Sequence, residues 1–156
     1  MLKLTKKADY GLIALKHLAV NARRDATNRD STNRDSTNLG VASAKEIADA
    51  YRVPLPLLAK ILQQLNRAGL VRSEQGTRGG YKLARDPRDI STLEVIRAID
   101  GPIILTECLT PDHANCDLHE SCNVRRPLQK LHEGILNLLA SISIWDLSQD
   151  EPAPGH

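Results

Sequence analysis

Three cysteines stand close together late in the chain, Cys108, Cys116 and Cys122, separated by seven and five residues. That spacing is not the Cys-x-x-Cys knuckle of a structural zinc site. Pro111 and Asn115 lie between them, and a loop of this composition lets three sulfurs converge on something larger than a single ion. An iron–sulfur cluster takes thiolate ligands and would still need a fourth. Spacing alone leaves a cluster, a zinc ion and free redox thiols all open. Cys122 also precedes an apolar periodic segment read as a helix, whose positive N-terminal end favours thiolates and an anionic cluster. His113 and His119 share the loop, as local donors or simply as solvated residues.

A second set of residues has the chemistry of base recognition. Over residues 56–68, Leu57, Leu58, Ile61, Leu62 and Leu65 fall on one helical face, while Lys60, Gln63, Gln64, Asn66 and Arg67 fall on the other. Gln and Asn pair bidentately with adenine in the major groove, Arg pairs with guanine, and Lys reaches base or phosphate. Arg78 stands among Gly76, Gly79 and Gly80, where a basic tip on a mobile turn suits the minor groove. Gly79 and Tyr81 complete the candidate set. The bland alternative is a helix pair that packs and does nothing else.

The elements that must position these groups follow from local signals. A first helix is predicted over residues 5–21, with Ala8, Leu12, Leu15, Leu18 and Ala19 on one face. Three near-identical pentamers follow, Arg-Asp-Ala-Thr-Asn and then Arg-Asp-Ser-Thr-Asn twice. They contain no large apolar residue and read as a flexible insertion over 24–38. Ser43 and Glu46 form a capping box that opens a helix to residue 50, and Ser91 with Glu94 forms another that opens a short helix ending at Gly101. Pro56 suits the first position of the leucine-bearing helix, and Gly69 suits its left-handed end. Strand-like runs at 70–73 and 81–84 flank the glycine turn. Two helices joined by a tight turn and followed by a basic hairpin make a winged helix-turn-helix. Finally Val124, Leu128, Leu131, Ile135, Leu138, Ile142 and Trp145 are spaced 4, 3, 4, 3, 4 and 3 apart, a heptad seam for two helices packed lengthwise. The expected fold is mainly α: a winged helix-turn-helix over 1–100 with a β-hairpin wing, a cysteine loop over 101–123, a long dimerisation helix over 124–147 and a disordered tail over 148–156.

Charge agrees with that division. Residues 1–39 carry eight Lys/Arg against four Asp/Glu and residues 40–90 nine against five, whereas residues 101–156 carry three against eight. DNA attracts the first two segments and repels the last. No signal-like apolar stretch opens the chain and no run is long enough to span a bilayer, so a cytoplasmic protein with reduced thiols and no membrane partner is expected. No Gly-rich phosphate loop or Ser-His-Asp arrangement is suggested, and neither an enzyme nor a small-molecule substrate is expected.

The motifs together resemble the bacterial iron–sulfur winged-helix regulators that include IscR and NsrR. The likeness rests on residues 4–12 (LTKKADYGL), the helix over 54–70, residues 78–84 (RGGYKLA) and the three cysteines. Residues 105–108, 122–125 and 144–147 look closest to the branch that regulates the SUF cluster-assembly operon. The resemblance implies a homodimer on double-stranded operator DNA and a cluster held by Cys108, Cys116 and Cys122. The IscR branch completes its site with a histidine three residues after the third cysteine. Arg125 stands there instead, and a guanidinium cannot be a ligand. The NsrR branch uses an aspartate from the first helix of the other subunit, a position matched by Asp9. The resemblance therefore implies Asp9 as the fourth ligand and a 4Fe-4S cluster in preference to a 2Fe-2S one.

Overall fold

The computed structural model describes residues 3–27, 40–77, 79–109, 117–118 and 120–149. In chain order the elements are α1 (Lys6–Thr27), α2 (Ala44–Tyr51), α3 (Leu55–Arg67), β1 (Val71–Glu74), β2 (Gly80–Leu83), α4 (Thr92–Asp100), α5 (Arg125–Ser141) and α6 (Ile144–Gln149), with 3-10 turns at Pro87–Asp89 and Glu107–Leu109. The winged helix-turn-helix is present as expected, and both capping boxes form. The Glu46 N–H donates to Ser43 Oγ at 3.0 Å, and the Glu94 N–H donates to Ser91 Oγ at 3.1 Å. Each glutamate reaches back to its own cap N–H, which satisfies donors that the helix itself cannot.

The core is aliphatic and centred where α1 and α3 meet. Leu15, Leu18, Ile47, Leu58, Ile61, Leu62, Leu65, Leu70, Val71, Ile90, Val95 and Ile144 are fully buried. Gly11 lets α1 close on α4, because a Cβ there would meet Ile99 Cδ1 at 2.2 Å.

Two boundaries differ from expectation. The first helix runs six residues past 21, through Arg24–Thr27 of the first pentamer. The reason is non-local: Asp25 Oδ2 accepts from the Gly40 N–H at 2.9 Å, and Gly40, at φ 75°, packs on Ala22. The other two pentamers lie outside the described residues. The single helix expected over 124–147 is instead two, broken at Ile142 (φ −97°, ψ 113°). There the Ile142 carbonyl accepts from the Thr92 N–H at 2.8 Å, and the Ile144 N–H donates to the Ile90 carbonyl at 2.8 Å. Ser143 and Asp146 then cap α6, with the Asp146 N–H donating to Ser143 Oγ at 3.1 Å and the Ser143 N–H to Asp146 Oδ2 at 2.9 Å. The N–H and the hydroxyl of Ser143 both donate to Asp146 Oδ2 and hold that carboxyl below its ordinary value. Consequently Ile144 sits in the core and Trp145 receives the Arg88 guanidinium 4.3 Å from its ring centroid, so the seam ends at Leu138. Ser148, expected in a disordered tail, is buried in α6.

Candidate nucleic-acid interface and cysteine segment

Helix α3 is divided as its sequence requires. Leu58, Ile61, Leu62 and Leu65 are buried, while Lys60, Gln63, Asn66 and Arg67 are exposed. Gln64 is half-buried at the edge of that face. The tight turn before α3 uses Arg52 in the left-handed region (φ 54°), and the Val53 N–H donates to the Ala48 carbonyl at 3.0 Å. A buried apolar face fixes the helix, so the outward polar face is presented in a constant orientation.

The wing is a two-stranded antiparallel hairpin in which Val71 faces Leu83 and Glu74 faces Gly80. It is tied to the entry of α2: the Tyr81 N–H donates to the Ala42 carbonyl at 2.8 Å, and the Ala42 N–H donates to the Tyr81 carbonyl at 3.0 Å. Of the wing residues expected to meet DNA, Tyr81 is half-buried and packs against the core, and Arg78 lies outside the described residues. Gly79 has a backbone reason for its identity, since a Cβ there would stand 2.5 Å from the Glu74 carbonyl oxygen. Arg72, which the sequence reading passed over, is exposed on β1 opposite Lys82, whose own ammonium pairs with Glu74 at 2.6 Å. Its signal was its place in a strand that packs beside α3.

Behind α2, His17 of α1 meets Tyr51 edge-on, with Nδ1 2.9 Å from the phenol oxygen. Its Nε2 is buried and has no hydrogen-bond partner among the described residues. Burial holds the imidazole below the ordinary 6.5; Glu46 partly offsets this and Arg24 adds to it. A base whose folded pKa is depressed stabilises the fold above its unfolded value, and that contribution is lost as pH falls. We expect the unfolding midpoint to drop between about pH 7 and pH 5, and His17→Phe to flatten that part of the curve. Thermal unfolding across this range checks it; an equal slope in the variant excludes His17 as the cause.

The cysteine segment begins at Gly101, which closes α4 at φ 80°. Cys108 lies in the 3-10 turn Glu107–Leu109, is only 8 % exposed, and has its Sγ 3.0 Å from Thr106 Oγ1. Cys122 is half-buried three residues before α5, whose first turn has no side-chain cap. Cys116, His113 and His119 lie outside the described residues. Asp9 is exposed in the first turn of α1, and its N–H donates to the Thr5 carbonyl at 3.0 Å. Among the described residues no three His, Cys, Asp or Glu side chains converge on one point. The donor chemistry nonetheless suits an iron–sulfur cluster. Three thiols share one segment, Cys108 Sγ lies within hydrogen-bonding distance of the Thr106 hydroxyl, and Cys122 stands in sequence just before the N-terminus of α5, an end that favours negative charge.

Helix α5 is the remaining exposed feature. None of its described residues is buried, and Leu131 and Leu138 on its seam are 58 % and 60 % exposed. Among the described residues no helix is long and apolar enough to cross a membrane.

Residues 4–150 match the family model Rrf2, described as an iron-dependent transcriptional regulator. An rrf2-like HTH-type transcriptional regulator of Rhodobacter capsulatus is 34 % identical over 148 residues, covering 92 % of this chain and 91 % of that one. Among solved structures, CymR, the global cysteine regulator of B. subtilis, aligns with a TM-score of 0.74 at 26 % identity, over 97 % of this chain and all of its own. IscR of T. potens aligns with a TM-score of 0.70 at 27 % identity, over 99 % of this chain and 92 % of its own.

Proposed function

We propose that this chain, which belongs to the Rrf2 family of DNA-binding transcriptional regulators, reads operator DNA as a homodimer and reports iron–sulfur status, or redox and nitric-oxide stress, through a cluster held by its three cysteines. Its relatives and structural neighbours are regulators, so it is a regulator and not an enzyme. The observation that carries the operator reading is α3, locked by four buried aliphatic side chains with Lys60, Gln63 and Arg67 outward beside an anchored wing. Gln63, Gln64 and Arg67 are assigned base edges, Lys60 phosphate, and Arg78 the minor groove, with Gly79 and Tyr81 shaping the wing that carries it. The apolar stripe on α5 supports the homodimer, which sets two half-sites at a fixed separation.

Cys108, Cys116 and Cys122 would hold the cluster, with Asp9 of the partner subunit as the fourth ligand. Four ligands would serve either cluster type; the NsrR resemblance carried by Asp9 is what favours a 4Fe-4S cluster over a 2Fe-2S one. When bound, the cluster supplies an iron site that oxygen or nitric oxide can attack, because a carboxylate is a weak ligand beside thiolates. Asp9 then ties one subunit's cysteine segment to the other subunit's DNA-binding domain. Without that tie the two α3 helices lose their fixed spacing and operator affinity falls. The reading places the protein in a reducing cytoplasm, with genes of iron–sulfur cluster assembly as its targets.

The likeness to CymR favours a second reading, in which the winged helix answers to a thiol switch or a structural zinc without a cluster. Iron, zinc and acid-labile sulfide measured per dimer on protein purified without oxygen separate the two. The expected result is near-stoichiometric iron and sulfide, abolished by Cys116→Ala and lowered by Asp9→Ala with the fold unchanged. Zinc, or no metal in a folded dimer, sinks the cluster reading, and unchanged iron in Asp9→Ala sinks the fourth ligand.

A further inference from the structure

Thr106 and Cys108 are two residues apart at the mouth of a 3-10 turn. The Leu109 N–H donates to the Thr106 carbonyl at 3.1 Å, which fixes the turn and directs the Thr106 side chain along it. Its hydroxyl oxygen lies 3.0 Å from Cys108 Sγ, in a place where the cysteine is 8 % exposed. A hydroxyl is both donor and acceptor, and a thiol is a weak donor. Once the sulfur has lost its proton to become a metal ligand, it can only accept. The hydroxyl proton then has one direction available across this contact, toward the sulfur. We propose that Thr106 is a positioning and tuning residue for the cluster, donating a hydrogen bond to the Cys108 thiolate. The proposal rests on the cluster reading above.

The consequence has a definite sign. A hydrogen bond to a ligating sulfur draws electron density from it and stabilises the more negative state of the cluster. One-electron reduction adds a negative charge and breaks no bond, so the bond from Thr106 is stronger in the reduced form. Burial strengthens the effect, because little water competes for the sulfur. Thr106 therefore raises the reduction potential of the cluster. It also orients the Cys108 side chain before any iron arrives, since the thiol already makes the contact.

Thr106→Val keeps the shape and the β-branch while deleting the hydroxyl; Thr106→Ser keeps the hydroxyl; Thr106→Ala provides a second deletion should valine pack poorly. The measurement is direct voltammetry of the full-length dimer purified without oxygen, with the electrode supplying the electron. In Thr106→Val and Thr106→Ala the midpoint should move negative, so that the ratio of reduced to oxidised cluster at the wild-type midpoint falls roughly threefold, because the shift reads only the difference in strength between the two oxidation states and not the whole worth of one hydrogen bond to a charged group. Thr106→Ser should restore it. The iron–thiolate stretching band in the resonance Raman spectrum should move to higher frequency in the two deletions and return in Thr106→Ser. A purely structural role would change iron content and leave both readouts of the remaining cluster in place. Unchanged potentials in loaded Val and Ala variants overturn the assignment while leaving the cluster reading intact. Two deletions that take up no iron where Thr106→Ser does would make Thr106 an assembly residue, which also overturns it. A wild-type dimer without iron and sulfide overturns the cluster reading itself, and this proposal with it.

Discussion

Changing Leu131 and Leu138 together to lysine should convert the protein to a monomer and weaken operator binding by roughly 10²–10⁴-fold, the advantage of engaging two linked half-sites at once. Both side chains stand more than half exposed on a helix that buries none of its described residues within the chain. They stand seven positions apart in the sequence, so they lie on one stripe two turns apart. Full burial of a leucine is worth about 1.5–3 kcal/mol, and a two-fold interface counts each twice. Lysine at these positions removes that gain and would trap unpaired charge between the helices. The chain's own core does not use either side chain, so helical content should survive. Analytical ultracentrifugation and operator titration at several salt concentrations read the result. A variant that remains dimeric, or a wild type that is already monomeric, removes α5 as the interface.

Much of this architecture was legible because its signals are local. The Ser43 and Ser91 capping boxes name their own helix starts, and the leucine spacing on α3 separates its buried face from its reading face within one element. What sequence reading missed was non-local or masked by a stronger pattern. Nothing in an Arg-Asp-Ala-Thr-Asn pentamer announces that Asp25 will take the Gly40 N–H, so the end of α1 was placed too early. The 4, 3, 4, 3 spacing runs on through Ile142 and Trp145, and it concealed the Ser143–Asp146 box that opens α6. That box was readable; the periodicity outweighed it. In the site, residue types identified the candidate ligands and base readers, but side-chain destinations such as Tyr81 against the core and Thr106 against Cys108 depend on which neighbours the fold brings near.

Gly80→Ala should detach the wing from the domain with a single methyl group. A Cβ at Gly80 would lie 2.4 Å from the Ala42 carbonyl oxygen, 2.6 Å from its carbon and 2.8 Å from the Ser43 nitrogen. All three are backbone atoms, so no side-chain rotation relieves the contact, and either β2 or the strand-like residue before α2 must move. Movement breaks the pair of bonds between Tyr81 and Ala42, each worth about 0.5–1.5 kcal/mol. Forcing atoms into a filled space adds about 1–3 kcal/mol. The expected loss is thus about 2–6 kcal/mol of stability in total, with the hairpin displaced from its place beside α3. Gly134→Ala is the matched comparison, because no described residue lies within 4 Å of a Cβ there and the helix should gain up to about 1 kcal/mol. In Gly80→Ala the thermal midpoint and operator affinity should both fall while the dimer persists, since α5 is remote from the wing. Undiminished affinity at full stability would mean that the wing's attachment at Ala42 does not position it for DNA, and operator reading would then rest on α3 alone.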